Sequence, residues 1–200
     1  ILNAEAGTFA AVTVKKAGVN ILTGRTVTKI NAGSDGAVCG VTLDNGLNLA
    51  CEMVIFAIGV RPNTDIVAGT GIQITRGIMV DRHMATNIPD VFACGDAAEA
   101  YDFTAGEARL TPVWPNAYLG GRVAGLNMAG KATEYPGGTP MNSLKYFGLE
   151  IVTAGITTAT PAGFESVSGA LNGTFRKLIL KNGIINGMVL IGNIEKAGVV

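Results

Sequence analysis

The stretch TNIPDVFACGDAAE, residues 86–99, decides how the fold of this chain is read. Pro89 interrupts the chain, residues 91–94 form an apolar run that predicts a short buried strand, and Gly95-Asp96 ends that run. Ligands of α/β proteins usually bind just beyond the ends of buried strands. The sequence therefore predicts a binding site at Gly95 and Asp96.

The residue types at this strand end favour a sugar-alcohol and phosphate ligand. Gly95 lets a ligand approach the backbone closely, and the Asp96 carboxylate can accept hydrogen bonds from hydroxyl groups. Small residues at Ala97 and Ala98 would let the N-terminus of a following helix come near, and its free N–H groups suit a phosphate. An alternative remains open, in which Asp96 only caps that helix.

Composition excludes several function classes. Hydrophobic residues make up 48% of the 200 residues and charged residues 15%, so the chain can bury a core. The formal net charge is zero and no Lys/Arg-rich run occurs, which argues against nucleic acid as a partner. The longest apolar run, residues 53–60, is far shorter than the ~20 residues that a bilayer requires, so no membrane association is expected.

The cysteines and the histidine predict no metal site. Cys39, Cys51 and Cys94 are odd in number and no two form C-x-x-C, which argues against a disulfide scaffold, a zinc site and a thioredoxin-type dithiol. The single histidine, His83, cannot build a multi-histidine site. The first residues, 1–5, carry no basic region typical of a signal peptide, and we expect a reducing, cytoplasmic location.

Hydrophobic periodicity predicts alternating helices and strands. The predicted elements are a helix over 4–17, a hairpin turn at 44–46, a buried parallel-type strand over 53–58, a polar loop over 98–111, a helix from Pro115 to about Gly130, and strands beyond 149 with a turn at 181–183. A Gly- and Pro-rich segment, residues 131–140, reads as a linker.

Two stretches resemble signatures of one superfamily. Residues 86–99 resemble the second FAD-binding signature of the pyridine-nucleotide-dependent flavin oxidoreductases, the glutathione reductase superfamily. Thr86, the apolar strand and Gly95-Asp96 fall in the matching places. VIFAIGVRPNTDI, residues 54–66, resembles the segment where such chains leave the NAD(P)H domain and re-enter the FAD domain.

A third stretch narrows the resemblance to a branch. TPVWPNAYLGGRVAGLNMAG, residues 111–130, is similar to the helix beneath the flavin in rubredoxin reductases, NADH oxidases and the flavin part of nitrite reductases. The resemblance implies that backbone N–H groups near Asn116 and Ala117 face the flavin and that Trp114 lies against its ring. Ordinary core packing of Trp114 is the alternative. The implied cofactor-binding residues are Gly95, Asp96, Ala97, Trp114, Asn116 and Ala117.

The same resemblance implies the domain organisation. We expect an α/β fold: a partial FAD/NAD(P)-binding, glutathione reductase-like domain followed by a small α+β C-terminal domain. The tail of the NAD(P)H-binding domain would occupy 1–57, the C-terminal part of the FAD-binding domain 58–131, a linker 132–139 and the C-terminal domain 140–200. Asn142 and Ser143 either approach the flavin or cap a helix that begins near Leu144.

The implied function is the C-terminal portion of an FAD-dependent NAD(P)H oxidoreductase, which passes hydride from NAD(P)H to FAD and on to an acceptor. No catalytic side chain is assigned, since the flavin carries the chemistry. The chain contains no G-x-G-x-x-G fingerprint for NAD(P)H, so we expect it to be inactive alone. An electron-acceptor protein and a second copy of the chain are the expected macromolecular partners. The alternative is a folding or dimerisation module without bound cofactor.

Overall fold

A computed structural model describes residues 2–158, 160–195, 197 and 198. The chain forms two compact units, residues 18–60 and residues 1–17 together with 61–200. The helices are α1 (Ala4–Lys16) and α2 (Trp114–Met128). The strands are β1 (Val27–Ala32), β2 (Val38–Leu43), β3 (Asn48–Ala50), β4 (Ile78–Met79), β5 (Ala98–Asp102), β6 (Glu107–Arg109), β7 (Met141–Tyr146), β8 (Leu149–Gly155), β9 (Glu165–Leu171), β10 (Thr174–Lys181) and β11 (Ile184–Ile191).

The unit formed by residues 18–60 is an antiparallel three-stranded sheet in the order β1-β2-β3. The predicted turn between β2 and β3 is confirmed. Gly46 has a φ of 83°, a left-handed conformation that glycine adopts without strain, and the Asn45 carboxamide oxygen accepts a hydrogen bond from the Leu47 N–H at 3.1 Å.

The strand predicted over residues 53–58 is wrong for this structure. No described strand pairs with the segment, and most of its apolar side chains are exposed, reaching 91% at Ile58. A strand is held by hydrogen bonds to its neighbours, and the pairing of β3 with β2 ends at Ala50. The apolar pattern of a buried strand is therefore present without the strands that would bury it.

Five antiparallel strands in the order β7-β8-β11-β10-β9 form the largest sheet. The predicted turn between β10 and β11 is confirmed, with Asn182 at φ 53° and Gly183 at φ 74°. The helix predicted from near Leu144 is wrong, because β7 pairs with β8 along its whole length, from Met141 opposite Ala154 to Tyr146 opposite Leu149.

Helix α1 covers one face of this sheet. The Asn3 side chain caps the helix by accepting a hydrogen bond from the Ala6 N–H at 3.1 Å. Ala6 and Ala10 are buried in one cluster with Leu149, Ile151, Phe175, Val189 and Ile191. Phe9 lies against Phe175, with ring centroids 6.1 Å apart. The sheet thus shares its core with a helix from the start of the chain.

A small mixed sheet, in the order β4-β5-β6, precedes α2. The polar loop predicted over residues 98–111 is wrong, because β5 and β6 form a hairpin there. The segment predicted as a linker is held in the core, because Tyr135 is 1% exposed and joins Met84 and Val123 in a second core cluster.

The predicted domain boundaries stay predictions. Within the described ranges, no helix has the length and hydropathy to cross a membrane.

Candidate functional site

The Gly95–Ala97 segment is a single 3₁₀ turn that leads directly into β5. Gly95 has a φ of 77°, so the left-handed conformation explains glycine at this position. The helix expected after Ala97 is absent, because residues 98–102 form a strand. Asp96 therefore caps no helix, and its side chain is exposed to solvent.

This turn packs against the first turns of α2. A Cβ atom built on Gly95 would lie 3.9 Å from the Cβ of Ala117. One turn further along α2, a Cβ on Gly120 would lie 3.5 Å from the Cβ of Cys94. The structure thus brings Gly95, Asp96 and Ala97 beside the N-terminus of α2. The buried strand predicted over residues 91–94 is wrong, because only Phe92 forms an isolated bridge, with Ala85, and Cys94 is exposed.

The N-terminus of α2 offers two backbone donors. The Ala117 N–H, which was expected to donate to a ligand, instead donates a hydrogen bond to the carbonyl oxygen of Val113 at 3.1 Å. Pro115 has no N–H. Among the described residues, the N–H groups of Trp114 and Asn116 meet no backbone acceptor, as is usual for the first turn of a helix. These two groups are available to an anionic or polar ligand edge.

The Asn116 side chain has a structural role that the sequence does not reveal. Its Nδ2 donates to the carbonyl oxygens of Thr111 at 3.3 Å and Thr139 at 3.2 Å. A Cβ on Gly138 would lie 2.7 Å from the Asn116 Cγ, so glycine is required for the chain to pass this close. The first turn of α2 is fixed to segments on both sides of it.

The hydrogen bonds continue from Thr139 to a buried carboxylate. The hydroxyls of Thr139 and Thr104 lie 3.0 Å apart, and the Thr104 hydroxyl donates to Asp102 Oδ1 at 2.6 Å. The same Oδ1 accepts from the N–H groups of Thr104 and Ala105, while Oδ2 is buried with no hydrogen bond and lies 3.9 Å from Arg109 Nη1. Asp-x-Thr in a loop is typical of an Asx turn, which is the signal that could have identified this cluster.

Two ionisable groups beside the turn have shifted pKa values. Burial raises the pKa of Tyr135, and the negative charge of Asp102 raises it further. Burial alone would raise the pKa of Glu99, but hydrogen bonds from the Thr75 hydroxyl and the Gly77 and Arg76 N–H groups outweigh it and lower that pKa. Glu99 is therefore an ionised anchor for the loop that precedes β4.

A cleft of about 510 Å³ opens between the N-terminus of α2 and the five-stranded sheet. Its lining includes Trp114, Pro115, Met141, Asn142, Ser143 and Met188. Trp114 is 79% exposed and stacks on Tyr118, with ring centroids 5.9 Å apart, so core packing of Trp114 is excluded. Asn142 and Ser143 lie on β7 and cap no helix. Apolar walls with a few polar groups suit a planar organic ligand.

No group of three or more His, Cys, Asp or Glu side chains in the described part of the chain could hold a metal ion. The polar groups around the cleft are hydroxyls, amides and backbone N–H groups, which suit an organic cofactor. The Gly95–Ala97 turn, the N-terminus of α2 and the cleft together form the candidate site.

Two family models together match nearly the whole chain. The family model for pyridine nucleotide-disulphide oxidoreductases matches residues 1–137, and that for the rubredoxin NAD+ reductase C-terminal domain matches residues 140–199. The chain is 35% identical over 156 residues to the epsilon subunit of the NADH-dependent phenylglyoxylate dehydrogenase of Aromatoleum evansii, covering 77% of this chain and 36% of that subunit. It is 30% identical over 194 residues to the nitrite reductase [NAD(P)H] of Bacillus subtilis, covering 96% of this chain and 23% of that enzyme.

The fold is shared with solved structures. The NAD-dependent persulfide reductase from A. fulgidus superposes with a TM-score of 0.88 at 25% identity, over 99% of this chain and 40% of that one. The expected FAD/NAD(P)-binding reductase fold with a C-terminal sheet domain is confirmed. The chain spans less than half the length of these proteins. The homologues are NAD(P)H-dependent flavoprotein oxidoreductases, whose family binds FAD and NAD(P)H. This chain belongs to the pyridine nucleotide-disulphide oxidoreductase family.

Proposed function

We propose that this chain is the C-terminal portion of an FAD-dependent NAD(P)H oxidoreductase and that its candidate site binds FAD. One observation carries the proposal: Gly95 lies against Ala117, so the signature turn and the start of α2 form one continuous surface. Gly95 and Gly120 lie where the two elements meet, and the absence of side chains there lets the turn and the helix approach closely.

The residues present fit the cofactor. The N–H groups of Trp114 and Asn116 would donate to a polar ring edge, and the positive end of the α2 dipole would favour negative charge there. The exposed Trp114 ring would supply an apolar wall, and the Asp96 carboxylate would accept hydrogen bonds from hydroxyl groups. FAD, when bound, supplies the capacity to take up a hydride and pass electrons on. The protein's part is to bind, orient and shield it.

The acceptor is proposed to be a protein or a further protein domain. Relatives named for phenylglyoxylate dehydrogenase and for nitrite reductase share this part of the chain. Because proteins named for such different substrates match the same part of this chain, the described site would hold the cofactor rather than select the acceptor. We place the reaction in the cytoplasm, where the free thiols of Cys39, Cys51 and Cys94 would stay reduced.

A second function, self-association, is favoured by one observation. Residues 53–60 expose most of their apolar side chains, with Met53 74% and Val60 75% exposed, and no described strand pairs with them. Such a segment pairs readily with another chain. Under this alternative the chain would be a dimerisation module without cofactor. Sedimentation analysis at increasing protein concentration would detect it.

The test of cofactor binding uses the only tryptophan in the chain. FAD is titrated into the purified protein while tryptophan emission and flavin anisotropy are both followed. Saturable quenching that coincides with the anisotropy change supports the site at Trp114. A Trp114→Phe variant serves as control, because it removes the emission signal and leaves the anisotropy readout. Absence of saturation in both signals up to about 1 mM FAD contradicts cofactor binding by this chain.

A further inference from the structure

Two cysteines far apart in the sequence meet across a pair of strands. In the β2–β3 ladder, Gly40 is opposite Ala50 and Val41 is opposite Leu49. The next step of the same register places Cys39 opposite Cys51, and the Cys51 N–H donates to the Cys39 carbonyl oxygen at 3.3 Å. Directly opposed residues of antiparallel strands project to the same face of the sheet. The two thiols are therefore neighbours on one face.

The spacing suits a disulfide. Opposed residues in a hydrogen-bonded antiparallel pair have Cα atoms about 5.5 Å apart. Disulfides join residues whose Cα atoms lie roughly 4.4–6.8 Å apart. Both cysteines are free in the structure and both line one open cleft of about 630 Å³. A small molecule can therefore reach either sulfur.

A packing role does not account for this pair. Free cysteines that act as small apolar residues are normally among the most buried positions of a protein. Here Cys39 is exposed and Cys51 is half-buried. Two accessible thiols on directly opposed residues are instead the arrangement that exchange with an external disulfide requires.

We propose that Cys39 and Cys51 form a site for reversible thiol–disulfide exchange with a low-molecular-weight disulfide. One thiolate attacks a sulfur of the external disulfide, which forms a mixed disulfide and releases one small thiol. The second cysteine thiolate then attacks the protein sulfur of the mixed disulfide and releases the second small thiol. Two protein thiols are oxidised and one external disulfide is reduced to two thiols, so atoms and electrons balance.

The negative charge of the cleft determines which small external disulfides react fastest with the two thiols. Asp35 and Glu52 line the same cleft, and no Lys or Arg side chain is among its lining residues. Carboxylates attract a cationic molecule and repel an anionic one. A cationic disulfide such as cystamine is therefore expected to react faster than oxidised glutathione, which is an anion. This inference stands apart from the proposed FAD site, because it concerns residues 18–60 alone.

The experiment uses the whole chain in its reduced form. The protein is incubated without oxygen with cystamine, free thiols are alkylated, and the product is digested by a protease that cleaves before aspartate. Cleavage before Asp44 separates Cys39 from Cys51, which a tryptic digest would leave on one peptide. We expect a cross-linked pair of these peptides. In the Cys94→Ser variant, weighed before alkylation, we expect an intact mass lower by about 2 Da, as disulfide formation requires.

Matched variants assign the link. Cys94→Ser is expected to oxidise like the natural chain, whereas Cys39→Ser and Cys51→Ser are expected to stop at the mixed disulfide. In urea the pair loses its alignment, so cross-linking at equal reagent is expected to fall by about tenfold or more. Any one of three results would overturn the proposal: equal cross-linking in native buffer and urea, a dominant link to Cys94, or no loss of mass.

Discussion

Asn116 Nδ2 lies 3.2 Å from the carbonyl oxygen of Thr139, which fixes the first turn of α2 to the chain that follows the helix. The contact matters because the donors proposed for FAD, the N–H groups of Trp114 and Asn116, belong to that turn. Their direction is set by a side chain whose partner lies beyond the far end of the helix.

Gly138→Ala is expected to displace the Asn116 carboxamide. The added Cβ would lie within 2.8 Å of Asn116 Cγ and Nδ2. We expect a loss of about 1–3 kcal/mol in the free energy of unfolding, as for other overpacked sites. Urea denaturation measures it. The matched control is Gly125→Ala on the solvent side of α2, where a Cβ meets nothing within 4 Å. The control is expected to gain up to about 1 kcal/mol from helix propensity. Equal stabilities for the two variants would contradict the role of Gly138.

Asp102→Ala and Asp102→Asn are expected to differ. Alanine leaves the Thr104 hydroxyl and the Thr104 and Ala105 N–H groups without their shared acceptor, at a cost of about 1–3 kcal/mol. Asparagine keeps that acceptor oxygen and replaces only the oxygen that has no hydrogen bond. We therefore expect Asp102→Asn to retain most of the stability in urea denaturation. A loss as large as that of Asp102→Ala would show that charge, rather than hydrogen bonding, is the contribution of Asp102.

Glu99→Gln is expected to change how stability depends on pH. Because the pKa of Glu99 is lowered in the folded chain, its ionised form stabilises the fold at neutral pH. That contribution is lost as the pH falls below about 4.3, the ordinary value for glutamate, and through the lower folded pKa. Glutamine can still accept the three hydrogen bonds but carries no charge. Thermal melts at neutral and acid pH are expected to show the variant less stable at neutral pH only. A stability gap that persists in acid would refute the assignment.

Asp96→Ala is expected to weaken FAD binding by about 1–3 kcal/mol, the usual effect of removing a hydrogen-bond acceptor from a polar ligand group. That change corresponds to a roughly 5- to 150-fold higher Kd by anisotropy titration. Since the Asp96 side chain is exposed, the unfolding free energy is expected to stay unchanged. Glu107→Ala, another exposed carboxylate, is the control and is expected to bind like the natural chain. An unaltered Kd for Asp96→Ala would remove Asp96 from the proposed site.

The elements that could be predicted from the sequence are those whose conformation is set by adjacent residues. Asn45-Gly46 and Asn182-Gly183 fix their turns through the conformations that these residue types favour. Pro115 marks the start of α2 because proline is compatible with a first turn. In each case the deciding residues are adjacent in the sequence. The structure therefore follows these predictions closely.

Other elements depend on neighbours that are distant in the sequence. Residues 53–58 have the pattern of a strand but no described strand pairs with them, while Leu144 lies in a strand because β8 pairs with it. Within the candidate site, Gly95 and Asp96 were identifiable from their motif. The hydrogen bonds of Asn116 to Thr111 and Thr139 could not be identified from the sequence, because no local pattern specifies which carbonyl oxygens a carboxamide reaches.

The packing of α1 on the five-stranded sheet has a consequence for synthesis. Ala10 contacts a core that is complete only when Ile191 is present. A ribosome adding roughly 5–20 residues per second needs on the order of ten to forty seconds to travel that distance. During that interval α1 leaves the exit tunnel as an amphipathic helix without its sheet. The nascent chain is then a natural client for a chaperone that holds apolar segments, and it is released from that need only after Ile191 has been made.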